Sequence, residues 1–367
     1  MTMPNELPQG HFFLPGPTEV HPEVLSAQTR PMIGHRGRDI KELLERLQEG
    51  LKRVFVTERP VVISTSSATG LMEAAVRNGV GSGKVLSLVN GAFSSRFGEI
   101  AMACGKETEL WAVDWGRYHD PEQLDARLAK GSYDAVTLSH SETSTGALQD
   151  LESIARVSAR YPGVMLLVDS VTGIAGTEVR TDDWELDFVL TGSQKALALP
   201  PGLSFGVASE AMMDRSSVVT NKGYYFDLVP LMKALEASQT PSTPAVSLLY
   251  ALEAQLERIS VEGIENRWSR HAAMQRATTD WVEEMQAEGV DVDVLAPPGY
   301  RSPTVTCLSL PETISGPEVV AAMRDRGWVI GGGYARLKET SVRIGHMGDH
   351  GVEKLTELLE ALGEVLR

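Results

Sequence analysis

The sequence predicts an α/β fold: a large domain with a mostly parallel sheet covered by helices, followed by a smaller C-terminal α/β domain. Three observations carry this expectation. From Val61 to about residue 208, short apolar strands alternate with helices, a rhythm that calls for crossover connections and a parallel sheet covered on both faces. Beyond Gly223 the pattern changes to long helical stretches and then to a smaller alternation of strands and helices. A chain of 367 residues is also too long for one small core.

Residues 1–22 are rich in Pro and Gly and contain Leu14-Pro15-Gly16-Pro17-Thr18, which reads as an extended arm rather than a helix. Residues 23–262 form the expected large domain and 263–367 the small one. Between Asp39 and Val56, Ile40, Leu43, Leu44, Leu47, Leu51 and Val54 recur at helical spacing, so this helix packs one face on something larger. Strands follow at Val61–Ser64, Val85–Val89, Leu110–Val113, Ala135–Ser139 and Val164–Val168, with helices at Gly70–Val80, Ser95–Ala103, Pro121–Ala129 and Leu151–Arg160 between them. A loop over Thr240–Pro244 leads into helices near Val246–Val261 and Ile264–Glu288. Strand-like Thr304–Leu310 and Ser341–Ile344 then alternate with helices at Pro317–Arg326 and Val352–Val365, which suggests an antiparallel sheet.

The formal net charge of −15 disfavours nucleic acid and anionic membrane as partners, since both are polyanions. Cys104 and Cys307 are the only cysteines, far apart and in apolar settings, so neither a disulfide framework nor a cysteine zinc site is expected. The start, Met1 to Glu6, lacks the basic and apolar regions of an export signal, and no apolar run reaches membrane-spanning length. A cytoplasmic protein is expected.

Five stretches carry residues suited to chemistry. Thr191-Gly192-Ser193-Gln194-Lys195 places one lysine in a tight turn between apolar stretches. Such an amine either snorkels to the surface or loses hydration and becomes a nucleophile. Ser64 to Gly70 puts five hydroxyls between a strand and a helix, more than a cap requires, and a helix start binds phosphate. Asp169 ends a buried strand where ligands collect and needs a cationic partner, either a structural ion pair or a protonated pyridine nitrogen. Phe93, after the turn Asn90-Gly91, is placed either to lie on a planar ring or to fill the core. Arg343, alternating with apolar residues in a late strand, either clamps a carboxylate or forms a structural ion pair.

Other signals point away from chemistry. Gly79 to Lys84 has the wrong spacing for a nucleotide loop and reads as a helix-to-strand turn. His346 and His350 lie in a glycine-containing loop, and no metal is expected there. Gly331-Gly332-Gly333 reads as a flexible turn that admits a ligand. Phosphate at a helix start, a planar ring under an aromatic, a ring nitrogen at a carboxylate and an aldehyde on a lysine together describe pyridoxal 5'-phosphate.

The residues then resemble a known family. Leu167-Val168-Asp169-Ser170-Val171, the turn Gly192 to Leu197 with Pro200-Pro201-Gly202 behind it, and Ser141-Glu142-Thr143-Ser144-Thr145-Gly146 resemble class V, fold type I aminotransferases, nearest the alanine-glyoxylate and serine-pyruvate branch. The resemblance runs from Leu14 to Gly345. It implies that Lys195 holds the cofactor as a Schiff base, that Asp169 pairs with the ring nitrogen, and that Phe93 and Val171 take the two ring faces. Ser67, Ala68 and Thr69 match the phosphate loop, with Gln194 assisting, although Ala68 stands where relatives have Gly. Thr143 matches a position near the ring hydroxyl, and Gly16 and Arg343 match substrate-binding positions. Thr243, with Thr240, matches residues that reach the neighbouring subunit's phosphate, which implies a homodimer with shared sites.

The implied activity is ping-pong transamination between a small amino acid, alanine or serine, and a 2-oxo acid, glyoxylate or pyruvate. The alternatives within the fold are a phosphoserine or phosphonate aminotransferase, for which His35 and Arg36 offer groups at the substrate's far end, and a lyase such as a cysteine desulfurase. The latter needs an exposed reactive cysteine, and neither Cys104 nor Cys307 suits. A nucleotide-binding dehydrogenase requires a glycine fingerprint where this chain has serines.

Overall fold

A computed structural model of the chain describes residues 8–367. Met1 to Glu6, on which the expectation of no export signal rests, lie outside the described residues. The large sheet has seven strands in the order Val61–Ser64, Ser204–Ala208, Phe188–Gly192, Met165–Asp169, Tyr133–Ser139, Lys84–Val89 and Thr108–Ala112. Ser204–Ala208 runs antiparallel to both its neighbours, and the other adjacent pairs are parallel. The adjacent interior strands Met165–Asp169, Phe188–Gly192 and Ser204–Ala208 are buried at every position, because helices cover both faces.

The helix Arg38–Phe55 buries Ile40, Leu43, Leu44, Leu47, Leu51 and Val54 on one side, as its spacing requires. Each such apolar side chain taken from water stabilises the contact by roughly 1.5–3 kcal/mol. Caps fix where other helices begin. Asp120 accepts from Glu122 N–H ahead of Pro121, and Ser315 and Glu318 form a reciprocal capping box for Gly316–Asp325.

The second sheet orders Phe12–Phe13, Val329–Gly332, Ser341–Ile344, Thr306–Ser309 and Asp293–Val294. It is antiparallel except at its edge, where Phe12 pairs with Val329 in parallel. The described part of the arm is thus built into the C-terminal sheet. His11 stacks on Trp328 with centroids 4.0 Å apart, and Phe13 stacks on His350 at 4.0 Å. The helices Ile264–Ala287, Gly316–Asp325 and Val352–Leu366 pack on this sheet through Met274, Val319, Met323, Leu355, Leu358 and Leu362.

The flexible turn expected at Gly331 to Gly333 is overturned. Val329–Gly332 is a strand, and Gly331 pairs with Arg343 and Gly332 with Val342. Backbone hydrogen bonding needs no side chains, so a glycine run that reads as a turn still joins a ladder. His346 and His350 take protein partners, Thr306 Oγ1 at 2.8 Å and the Phe12 carbonyl at 2.9 Å. Among the described residues no helix is long and apolar enough to cross a membrane.

Candidate active site

Parallel strands deliver their last residues to one edge of the sheet, and the candidate groups gather there. Ser139 lies beside Asp169, and Asp169 beside Leu190, in neighbouring strands. Asp169 is buried. Its Oδ2 accepts from Ser139 Oγ at 2.8 Å and its Oδ1 from Val171 N–H at 2.9 Å. Burial pushes its carboxyl up to about 6 despite those two hydrogen bonds, Glu142 pushes in the same direction, and Lys195 pulls slightly the other way. A carboxyl in this state favours the arrival of a cation.

Lys195 is 8 % exposed and follows the strand Phe188–Gly192. The turn is closed by Ser193 Oγ donating to the Pro200 carbonyl at 2.8 Å and by Ala198 N–H donating to the Lys195 carbonyl at 2.8 Å. The neighbouring Ala196 carbonyl accepts from Nη2 of Arg267, a fully buried arginine paired with Asp349 and Glu262 at 2.9 and 2.8 Å. Lys195 Nζ donates to the Pro15 carbonyl. Burial lowers the amine to about 8, and the positive charges of Arg343 and Arg96 add to that while Asp169 opposes it. The surface-lysine reading is therefore overturned: the amine has lost its hydration.

Gly16 packs directly on this side chain. A Cβ at position 16 would overlap Nζ, Cδ and Cε of Lys195, and φ is +101° there. Gly16→Ala is expected to lower the stability of the cofactor-free protein by about 1–2 kcal/mol from left-handed strain, the overlapped end of the lysine side chain being able to swing aside. Urea unfolding measures it, and a loss under 0.5 kcal/mol would show that the arm is free to move away.

Ser67, Ala68 and Thr69 stand at the start of the helix Ala68–Gly79. Ser67 is its N-cap residue but makes no side-chain cap, which leaves first-turn N–H groups open to a ligand. The Ser66 hydroxyl is occupied, bonding Ser64 Oγ at 3.0 Å and Ser204 Oγ at 2.8 Å. Gln194 is half-buried beside this turn, with its carbonyl accepting from Thr18 N–H at 3.1 Å.

Phe93 sits on the first turn of the helix Ala92–Ala103, which begins three residues earlier than its sequence suggests. Its ring faces Tyr334 at 5.4 Å and lies under the Arg96 guanidinium at 4.8 Å. Val171 is half-buried and its carbonyl accepts from Thr191 Oγ1 at 3.0 Å. The hydroxyls of Thr143 and Thr172 are 3.2 Å apart. Arg343 donates from Nη1 to the Thr143 carbonyl at 3.1 Å and from Nε to the Gly332 carbonyl at 2.9 Å, with no carboxylate in a salt bridge to it among the described residues. Burial lowers its guanidinium below the usual range.

Among the described residues neither Thr240 nor Thr243 hydrogen-bonds Ser67, Ala68 or Thr69. The Thr240 hydroxyl donates to the Ser242 carbonyl at 2.7 Å, and both threonines line a small cavity with Ser64, Thr65 and Tyr225. Arg36 donates to the carbonyls of Thr240 and Pro241. Sequence reasoning missed Glu142, Tyr334 and Arg267. Glu142 lies inside a stretch singled out for its family likeness, and Tyr334 follows the glycine run, but no periodicity marks either as part of a site.

The donor set fits pyridoxal phosphate. A buried carboxyl raised by desolvation suits a ring N–H⁺, an uncapped helix start suits a phosphate, and an amine shifted to about 8 suits an aldehyde.

The sequence profile of the family Aminotransferase class-V matches residues 19–334. An uncharacterized aminotransferase of Methanocaldococcus jannaschii is 38% identical over 363 residues, 97% of this chain and 92% of that one. Among solved structures, an aspartate aminotransferase of subgroup IV from Thermus thermophilus is similar at a TM-score of 0.88 and 33% identity, covering 97% of this chain and 98% of that one. An alanine–glyoxylate aminotransferase from Nostoc sp. is similar at a TM-score of 0.91 and 30% identity, covering 100% and 98%. The chain belongs to the class V aminotransferases of fold type I: it is an enzyme that moves an amino group between an amino acid and a 2-oxo acid, with pyridoxal 5'-phosphate as its cofactor.

Proposed function

We propose that this enzyme transfers the amino group of a small amino acid, alanine or serine, to glyoxylate or pyruvate by a ping-pong mechanism. The observation that carries the reading is the pairing of Arg343, which makes no salt bridge among the described residues, with the amine of Lys195, whose charge it already weakens. An arginine with no salt bridge, beside a reactive amine, matches the carboxylate and amino group of an α-amino acid. The Nostoc neighbour, named for alanine and glyoxylate, supports the same substrates.

When bound, the cofactor offers an aldehyde to the amino group and a ring that absorbs the electrons left behind by the α-proton. Arg343 holds the substrate carboxylate in its fork, and Gly16 leaves room for the substrate beside Lys195. Lys195 Nζ, once free, moves the α-proton. Asp169 keeps a proton on the ring nitrogen. Ser67, Ala68, Thr69 and Gln194 hold the phosphate, Phe93 and Val171 the ring faces, and Thr143 the ring hydroxyl. The active unit in this reading is a cytoplasmic homodimer in which Thr240 and Thr243 serve the partner's phosphate. The arm (1–22), large domain (23–262) and small domain (263–367) complete it.

A desulfurase finds no support in the cysteines. Cys307 is buried in Thr306–Ser309 with its thiol pushed up to about 11 by burial, and burial also raises Cys104.

Steady-state rates over a panel of amino acids with glyoxylate, pyruvate and 2-oxoglutarate test the substrate reading, and a preference for acidic or phosphorylated donors would overturn it. Arg343→Ala is expected to raise KM for alanine roughly 10²-fold, the value of a lost charge-assisted carboxylate contact, while cofactor affinity stays within a few-fold. Unchanged KM would remove Arg343 from the substrate site.

A further inference from the structure

Glu142 is fully buried, and among the described residues it makes no salt bridge. Its oxygens accept from donors on two segments. Oε2 takes the backbone N–H of Ser94 at 2.9 Å, that of Phe93 at 3.1 Å and Ser94 Oγ at 2.9 Å. Oε1 takes Ser144 N–H at 3.1 Å, Ser144 Oγ at 2.6 Å and, more loosely, Phe93 N–H at 3.2 Å. Ser144 Oγ in turn accepts from Ala92 N–H at 3.0 Å. The first three N–H groups of the helix Ala92–Ala103 are therefore satisfied by the segment 142–144, a long-range replacement for a local cap.

Position 91 shows that this replacement is built in. The N-cap residue is Gly91, and a Cβ there would overlap the Glu142 side chain and the Ser144 hydroxyl. A serine or aspartate would cap the helix from position 91 itself, but it has no room. Burying a carboxylate with no salt-bridge partner is costly unless hydrogen bonds offset it, and a helix start alone does not require that burden. The anchor also does something a local cap cannot: it fixes Phe93 to the segment whose next carbonyl, Thr143 O, receives Arg343 at 3.1 Å.

We propose that Glu142 is a positioning residue that holds the Phe93 ring in stacking register with the cofactor and ties that aromatic to the Thr143–Arg343 contact. The inference rests on the reading of Phe93 as the ring-stacking aromatic. Glu142→Gln keeps the shape but not the role. Both carboxylate oxygens accept from fixed backbone N–H groups, so an amide nitrogen at either place faces a donor.

The test is a double-mutant cycle on the full chain, with the dissociation constant of pyridoxal phosphate measured by titrating cofactor-free protein and the circular dichroism of the bound chromophore as a second readout. Phe93→Ala is expected to weaken cofactor binding about tenfold, and an unchanged constant would overturn the stacking reading and the inference with it. Given that loss, Glu142→Gln is expected to weaken binding about tenfold and to alter the dichroic band in the parent, but to change binding by less than about twofold in the Phe93→Ala background. Losses that multiply would overturn the inference while leaving the stacking role of Phe93 intact. Should Glu142→Gln fail to fold, judged by thermal unfolding of the cofactor-free protein, Ser94→Ala removes one donor and keeps the carboxylate. It is expected to weaken binding about threefold with the same dependence on Phe93, and additive losses there would overturn the inference equally.

Discussion

Lys195→Ala is expected to lower kcat for transamination by about 10⁴-fold or more, because the variant loses both the amine that holds the aldehyde and the base that moves the α-proton. The parent should show a visible absorption band that borohydride bleaches, with the label recovered on the peptide containing Lys195. The variant should take no label. The environment of the amine adds a second expected result. Burial sets its ionisation near 8, where an ordinary lysine stays charged to above 10. Only the neutral amine attacks an aldehyde, so the rate at which cofactor-free protein captures pyridoxal phosphate should rise with pH through about 8 and then level off. A capture rate still climbing at pH 10, or undiminished transamination by the alanine variant, would show that another group carries the chemistry.

The lysine illustrates how much of the site is legible in the sequence. Its turn is readable because a lone cation between apolar stretches is conspicuous, and Asp169 because a carboxylate at the end of a five-residue apolar strand has few places to go. Arg343 is readable from its alternation with apolar neighbours. Their distances to one another are not, since residues 16, 143, 169, 195 and 343 meet only through the register of the large sheet and the packing of the second sheet against it. Glu142 is hidden for a different reason. Its partners are backbone N–H groups, which every residue owns, so the sequence carries no mark of them beyond the glycine that makes room. The antiparallel strand Ser204–Ala208 is likewise hidden, because an apolar run buried on both faces looks alike in either direction. Gly331 and Gly332 form a strand rather than the expected turn for another reason, since ladder hydrogen bonds need no side chains.

Asp169→Asn separates the role of the carboxylate in chemistry from its effect on stability, because the two are expected to move in opposite directions. The amide fits the site: its oxygen accepts from Val171 N–H as Oδ1 does, and its NH₂ donates to Ser139 Oγ, which turns to accept. In cofactor-free protein the parent carboxyl titrates near 6, above the ordinary value of about 3.9. Between those values the folded protein holds a proton that the unfolded chain has released, so stability falls as pH rises from about 4 to about 6 and stays low above it. Removing the titration should make the cofactor-free variant more stable than the parent at pH 8, by no more than about 3 kcal/mol, and equal to it near pH 4. With cofactor bound the sign reverses, because a charged ring nitrogen repays the buried carboxylate and an amide does not. The loaded variant should bind cofactor more weakly and lose roughly 10²–10³-fold in kcat, the usual effect of removing one aimed electrostatic group. Denaturant unfolding at both pH values, with and without cofactor, reads all of these signs in one set of samples. A variant that is less stable without cofactor and within threefold of parental kcat would reduce Asp169 to a structural hydrogen-bond acceptor at the end of its strand.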